Sequence, residues 1–247
     1  MTQLLAIIGG TGLTALDTLT IKRQEKVSTP YGEPSSLLTQ GELNGQAIVF
    51  LARHGHSHTL PPHKINYRAN LWALKELGVG QIIAVAAVGG IRADMEPGCL
   101  AFPDQLIDYT GSRGHTFFEE DLTHVTHIDF TYPYCEELRQ QLIRAARWAG
   151  LGAREGGTYG VMQGPRLETA AEILRLERDG CAMVGMTGMP EAALARELGL
   201  CYATCAVVAN WAAGKREGEI TMEDIEQQLV GGMDKVKILL REVVALL

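Results

Sequence analysis

The sequence predicts an α/β domain in which helices pack on a largely buried sheet. Three observations predict it. Apolar runs of strand length recur along the chain, and stretches of helical periodicity lie between several of them. Almost every apolar run also ends in a small or polar cluster: GGTG, ARHG, AAVGG, GMTG and VAN. Strands alternating with helices bury a sheet on both faces. In such folds the strand ends meet on one side, and ligands bind there.

The elements follow in order. Strand-length runs span Leu4 to Ile8, Ala47 to Ala52, Gln81 to Val88, Leu100 to Ile107, Cys181 to Met186 and Cys201 to Ala209. Tyr67 to Leu77 places Leu71, Leu74 and Leu77 on one helical face, with Gly78 as its stop. Glu168 to Arg178 reads as a helix with Ala170, Ala171 and Leu174 inward. Pro190 starts the helix EAALAREL, which Gly199 ends. The last element carries Ile225, Leu229, Met233, Val236, Leu240 and Val243 as a helical stripe, with a break expected near Gly231 and Gly232. No Pro/Gly/Ser-rich linker divides the chain, so one domain over residues 1–247 is expected.

Composition narrows the function. A chain of 247 residues that is 46% hydrophobic can bury a full core. No run of about 18 uncharged apolar residues exists, so no membrane span is expected. The start lacks a basic n-region and enters a strand pattern directly, so no signal peptide is read. A net charge of -7 with both signs dispersed argues against a nucleic-acid partner. The five cysteines show no C-x-x-C spacing. Cys201 and Cys205 lie in an apolar run and read as core residues, which suits a reducing cytoplasm.

Two stretches carry chemistry. In AIIGGTGLTA, Gly10, Gly12 and Ala15 fit the spacing G-x-G-x-x-A of a dinucleotide loop. That fold also needs a full helix next, a second strand and an acid about 20 residues on. Here LTALDTLT is short, a charged and turn-rich segment follows, and Glu25 ends no apolar strand. A structural turn and a phosphate-binding turn remain open, the latter using backbone N–H groups and the Thr11 hydroxyl. In LARHGHSHTLPPHK, Arg53 sits among His54, His56, His58 and His63. Alternating imidazoles can ligate zinc, an Arg fork beside His suits an anion, and a solvated polar loop fits as well. The metal reading lacks a second ligand cluster, and Arg53 would repel a cation.

Five motifs occur in order: IIGGTGL, LARHG, INYRANLWALKELG, QGPRLETAAE and GMTGMPEAALARELG. Together they resemble the trimeric purine nucleoside phosphorylase and methylthioadenosine phosphorylase family over nearly the whole chain. The resemblance implies a single-domain nucleoside phosphorylase fold, with a mixed central β-sheet flanked by α-helices. It implies a homotrimer and phosphorolysis of a purine nucleoside, with inorganic phosphate as co-substrate and no metal or organic cofactor. Phosphate attacks the anomeric carbon as the purine leaves, through an oxocarbenium-like transition state. The anion must be held as a positioned nucleophile, and the departing purine must be stabilised.

Carried over by this resemblance, the phosphate site maps onto Thr11, Arg53, His54 and Thr187, with backbone near Ala86 and Ala87. Methylthioadenosine phosphorylases commonly have a hydroxyl residue where this chain has Ala86. Met186 would pack against the ribose, although an ordinary core methionine has the same signature. Adenine-specific members carry D-x-D where this chain has Asn210, Trp211 and Ala212. The 6-oxopurine members carry Asn at the first of these and a Glu at the position of Glu168, which Leu167 precedes. An oxopurine offers a ring N–H beside a carbonyl, which Glu168 and Asn210 can satisfy; adenine offers a bare nitrogen there. Taken singly, Glu168 is also a helix-start acid and Asn210 a strand-end residue. At the sugar end, Met222 falls where oxopurine members have a His that meets a 5′-hydroxyl, and Ile225 follows one turn later. An apolar wall there favours a 5′-methylthio group, unless Met222 only packs the last helix. His127 matches a position that reaches the neighbouring subunit's 5′ pocket. Asn210 would be the catalytic residue. A metal-dependent hydrolase built on the histidine stretch and a non-enzymatic nucleoside-binding protein are the other classes.

Overall fold

The computed structural model describes residues 4–247 apart from Thr14, Asp17 and Asp121. Part of the LTALDTLT stretch therefore lies outside the described residues, as do the first three positions of the chain. Among the described residues the strands are β1 (Leu4–Gly9), β2 (Thr20–Glu25), β3 (Leu38–Leu43), β4 (Gln46–Ala52), β5 (Val79–Gly90), β6 (Leu100–Ala101), β7 (Gln105–Tyr109), β8 (Ala153–Arg154), β9 (Thr158–Met162), β10 (Cys181–Gly185) and β11 (Cys201–Trp211). The α-helices are α1 (Tyr67–Glu76), α2 (Glu136–Trp148), α3 (Ala170–Arg178), α4 (Gly188–Glu197) and α5 (Met222–Val244).

One mixed sheet joins all the strands, in the order β2-β3-β4-β1-β5-β10-β9-β7, with β11 on β5 and β6. β1 runs parallel to both β4 and β5, and β11 runs parallel to β5. Alternate residues of β1 face opposite cores, as the two-residue strand period requires. Ala6 and Ile8 pack with Leu71 and Leu74 of α1 and Ala192 and Leu194 of α4. Leu5 and Ile7 pack with Leu138 and Leu142 of α2 and Leu229, Met233, Val236 and Leu240 of α5. Burial on both faces is why these strands read as unbroken apolar runs.

Several expectations need correction. The run Leu100 to Ile107 is two strands, because Pro103 lies between them and has no N–H for a ladder. α3 begins after Thr169, whose side chain accepts from the Glu172 N–H while Glu172 accepts from the Thr169 N–H. This capping box stops the helix short of Glu168 and rotates Ile173 and Leu176 inward, leaving Ala170, Ala171 and Leu174 exposed. α5 is not broken at its glycines. A Cβ on Gly232 would lie 2.4 Å from Val207 Cγ1, so the glycine lets the helix approach β11. Cys201 is not a free core thiol, because it forms a disulfide with Cys135. The partners are 66 residues apart, and the Cys135 N–H bonds the Tyr202 carbonyl to bring them together. Cys205 is a buried core thiol as expected, its pKa pushed up to about 12 by burial. No helix among the described residues is long and apolar enough to cross a membrane.

Candidate active site

The clusters that end β1, β4, β5, β10 and β11 line one cavity of about 540 Å³. Register explains the convergence, since Gly9 pairs with Ala52 and Val88 with Val208. Beyond Val208 the β5–β11 register shifts, so that Asn210 rather than Ala209 stands opposite Gly89. A local irregularity of this kind re-aims the side chains that follow it. Here it brings Asn210 to the cavity wall.

The first loop is no dinucleotide loop. The chain leaving GGTG leads to β2, an exposed hairpin strand antiparallel to β3, rather than to a buried parallel strand that could present an acid. The loop instead rests on a guanidinium. A Cβ on Gly10 would lie 2.5 Å from the Val85 carbonyl oxygen and 2.9 Å from Arg53 Nη1. Only glycine lets Thr11 and Arg53 line the cavity side by side.

Arg53 is 1% exposed, and Glu191 beneath it is fully buried. Arg53 Nε and Nη2 donate to the two Glu191 oxygens at 2.7 and 2.8 Å, and Nη1 donates to the Val85 carbonyl at 2.8 Å. The Tyr202 hydroxyl donates to Glu191 Oε1 at 2.8 Å. Burial opposes the charge on Arg53, but the Glu191 carboxylate outweighs it, and the pKa is raised. His54 closes its own loop. Its Nδ1 lies 2.8 Å from the Leu60 carbonyl, and the Leu60 N–H returns to the His54 carbonyl. Burial and the neighbouring Arg53 charge lower its pKa to about 4, so the ring is neutral at pH 7. Nδ1 then carries the proton that meets the carbonyl, and Nε2 is left as an acceptor. Among the described residues no group of three or more His, Cys, Asp or Glu side chains could hold a metal ion.

At the other end the cavity is walled by Pro165, Leu167, Glu168 and Asn210. Glu168 Oε1 is buried with no hydrogen-bond partner, and burial raises the carboxyl pKa. The Asn210 amide donates to the Trp211 carbonyl at 2.7 Å, which leaves one N–H and the amide oxygen for a ligand. Met186 and Thr187 enter from the loop before α4. That loop is held by the buried Arg113, which donates to the carbonyls of Met186, Met189 and Gln163 at 2.8, 2.6 and 2.8 Å.

Of the residues expected from sequence, the cavity brings together Thr11, Arg53, His54, Ala86, Ala87, Leu167, Glu168, Met186, Thr187, Asn210, Met222 and Ile225. Met222 is 60% exposed at the cavity mouth, and Ile225 is buried behind it. Trp211 and Ala212 line an adjoining cavity that shares Asn210 with the first. His127 is exposed and lines neither. Glu191, Tyr202 and Arg113 escaped the sequence reading. Glu191 looks like an ordinary acid at a helix start, and nothing local marks the other two as buried anchors.

This arrangement is a pocket that gathers Thr11, Arg53, His54 and Thr187 with a buried, unpartnered Glu168 oxygen and the free amide groups of Asn210. The chain belongs to the Phosphorylase superfamily, whose sequence profile matches residues 4–245. It is 57% identical over 240 residues to a probable S-methyl-5′-thioinosine phosphorylase of Pseudomonas syringae pv. tomato, covering 97% of this chain and 98% of the relative. It is 49% identical to the 6-oxopurine nucleoside phosphorylase of Pyrococcus furiosus, with 96% and 90% of the two chains covered. The fold superposes on the methylthioadenosine phosphorylase from Schistosoma mansoni in complex with adenine with a TM-score of 0.95. That comparison is at 34% identity and covers 99% of this chain and 92% of the other.

Proposed function

We propose that this protein is a pentosyltransferase that cleaves S-methyl-5′-thioinosine with inorganic phosphate. The products are hypoxanthine and 5-methylthioribose 1-phosphate. Phosphate sits against Thr11, Arg53, His54, Thr187 and the backbone at Ala86 and Ala87. Its oxygen bonds the anomeric carbon as the bond to the purine nitrogen breaks and that electron pair leaves with the base. Asn210 donates to the departing purine, and Met186 packs under the ribose. Arg53 and the loop donors orient the nucleophile toward a carbon that becomes cationic. Leu167 lies against the base. Met222 and Ile225 take the methylthio group, and His127 meets it from a neighbouring subunit of a homotrimer. No metal or organic cofactor enters this chemistry.

The observation that carries the reading is the buried, partnerless Glu168 Oε1 beside Asn210 in the cavity wall. A carboxylate oxygen in that state needs an N–H donor, and the ring N–H of an oxopurine supplies one. Adenine presents a lone pair there and would leave the Glu168 carboxylate unmet. The named relatives are nucleoside phosphorylases, which supports phosphorolysis over hydrolysis. The reading also assigns the reaction to the cytoplasm and to purine and methylthioadenosine salvage. With Cys135 and Cys201 joined, that location no longer rests on cysteine usage.

The test is base release from methylthioinosine, methylthioadenosine and inosine, each with and without phosphate. Phosphate-dependent release mainly from methylthioinosine is expected. Preference for methylthioadenosine would show that Glu168 and Asn210 do not choose the base, and preference for inosine would remove Met222 from the sugar pocket. Sedimentation of the active enzyme at the mass of three chains is expected.

A further inference from the structure

The phosphate end contains a buried acid that does not line the cavity and that the reaction does not consume. Glu191 is fully buried in α4 and grips the inner edge of the Arg53 guanidinium through two hydrogen bonds. Tyr202, on β11, donates to Glu191 Oε1, the oxygen that also accepts from Arg53 Nη2. Val85, on β5, takes one Nη1 hydrogen. A guanidinium has five N–H donors. Three are spent on these fixed partners, and one on Nη1 and one on Nη2 remain for the cavity.

Three separate elements thus set the plane and reach of one side chain. A full positive charge alone would not require that, because a flexible cation attracts an anion from many angles. A nucleophile that must approach one carbon along one line needs donors in fixed places. We infer that Glu191 is a positioning residue for the phosphate co-substrate: it acts through Arg53, with Tyr202 as its lock, and sets the directions in which Arg53 can donate. This rests on the phosphorylase reading above.

A second role would be to screen the Arg53 charge, and a third would be to hold the fold together. The three roles predict different kinetics. Positioning requires both the carboxylate charge and its reach, so Glu191→Gln and Glu191→Asp should each raise the KM for phosphate about tenfold. The KM for the nucleoside should move less than twofold in both. A screening role predicts a lower phosphate KM in Glu191→Gln, because the uncovered cation would bind the anion more tightly. A structural role predicts a lost active fraction and a lower melting temperature, with both KM values unchanged.

Tyr202→Phe removes only the lock and retains the ring in the core. It should raise the phosphate KM two- to threefold in a folded enzyme, which keeps the test decisive if the Glu191 variants fail to fold. Steady-state kinetics with phosphate and nucleoside varied separately, on protein whose folded fraction is known from circular dichroism, reads all three. A phosphate KM that falls or stays constant in the folded variants overturns the inference. Absence of phosphate-dependent base release in the unmodified enzyme would instead overturn the phosphorylase reading.

Discussion

At the Arg53 end of the cavity a guanidinium and a carboxylate are matched bidentately, with Tyr202 and the Val85 carbonyl completing the set. At the Glu168 end, a carboxylate oxygen is buried with nothing to accept from. At the first end the charges are paired before any substrate arrives, and only two Arg53 N–H groups are left for the cavity. The second is completed only by a ligand that carries the right hydrogen. Buried polar groups stabilise when their partners are built in and cost stability when they are left open. The fold thus orders the Arg53 end, whereas the Glu168 end leaves a hydrogen-bonding group for a ligand to meet.

The sharpest way to break this contrast is to empty the paired end. Arg53→Met leaves Glu191 buried and unpaired, and should cost about 3–5 kcal/mol of unfolding free energy in denaturant melts. Replacing both partners, as Arg53→Met with Glu191→Leu, should return much of that stability while phosphate-dependent turnover stays absent. A single variant that loses less than about 1 kcal/mol would remove the pair from the stabilising role.

Acid should pull the two ends in opposite directions. His54 titrates near 4 in the folded protein against 6.5 for an ordinary imidazole, so the unfolded chain takes up the proton first. Stability should fall as pH drops from about 6.5 toward 4, by about 3 kcal/mol in full, and His54→Gln should flatten this slope. The Glu168 carboxyl is raised by burial, so the folded protein binds that proton first. Its protonation should add stability as pH falls through the raised value. The same step should reduce kcat/KM for an oxopurine nucleoside, because the neutral acid is a poorer acceptor. Melts and pH–rate profiles of Glu168→Gln beside the unmodified enzyme separate these effects.

At neutral pH, Glu168→Gln should lower kcat/KM for methylthioinosine by about 10- to 100-fold, the worth of a hydrogen bond to a charged group. Its unfolding midpoint should not fall, in contrast to Arg53→Met. A matching loss of stability would mean that Glu168 has a partner within the fold and that the two ends do not differ. The smallest effect belongs to the mouth. Met222→His should improve inosine relative to methylthioinosine a few-fold in competition assays, because Met222 is more than half exposed.

Much of the frame was legible. β1, β4, β5, β10 and β11 are apolar on both faces, so their runs stand out against polar turns. β2 was not legible: TIKRQE is an exposed hairpin strand, held by its ladder with β3 and by no apolar pattern. The start of α3 carries a local signal of its own. Thr169 and Glu172 have the spacing of a capping box, and reading it would have placed Glu168 outside the helix and freed it for the cavity. The loop residues of the site were legible as long ordered motifs. Their anchors were not, since Arg53 and Glu191 are 138 residues apart and the disulfide partners 66.

By itself the sequence determined which segments become the buried central strands, where their polar ends fall, and which side chains those ends bring to the cavity. Periodicity and turn chemistry are local, and a short window contains all that they need. Only the tertiary structure decided which charges are cancelled and which are left waiting. In the chain, Arg53 reads as a charge in a histidine-rich loop and Glu168 as an acid at a helix start. Burial beside Glu191 completes one of them, and burial beside an empty pocket leaves the other open. That difference depends on what distant segments bring within 3 Å, and no local pattern records it.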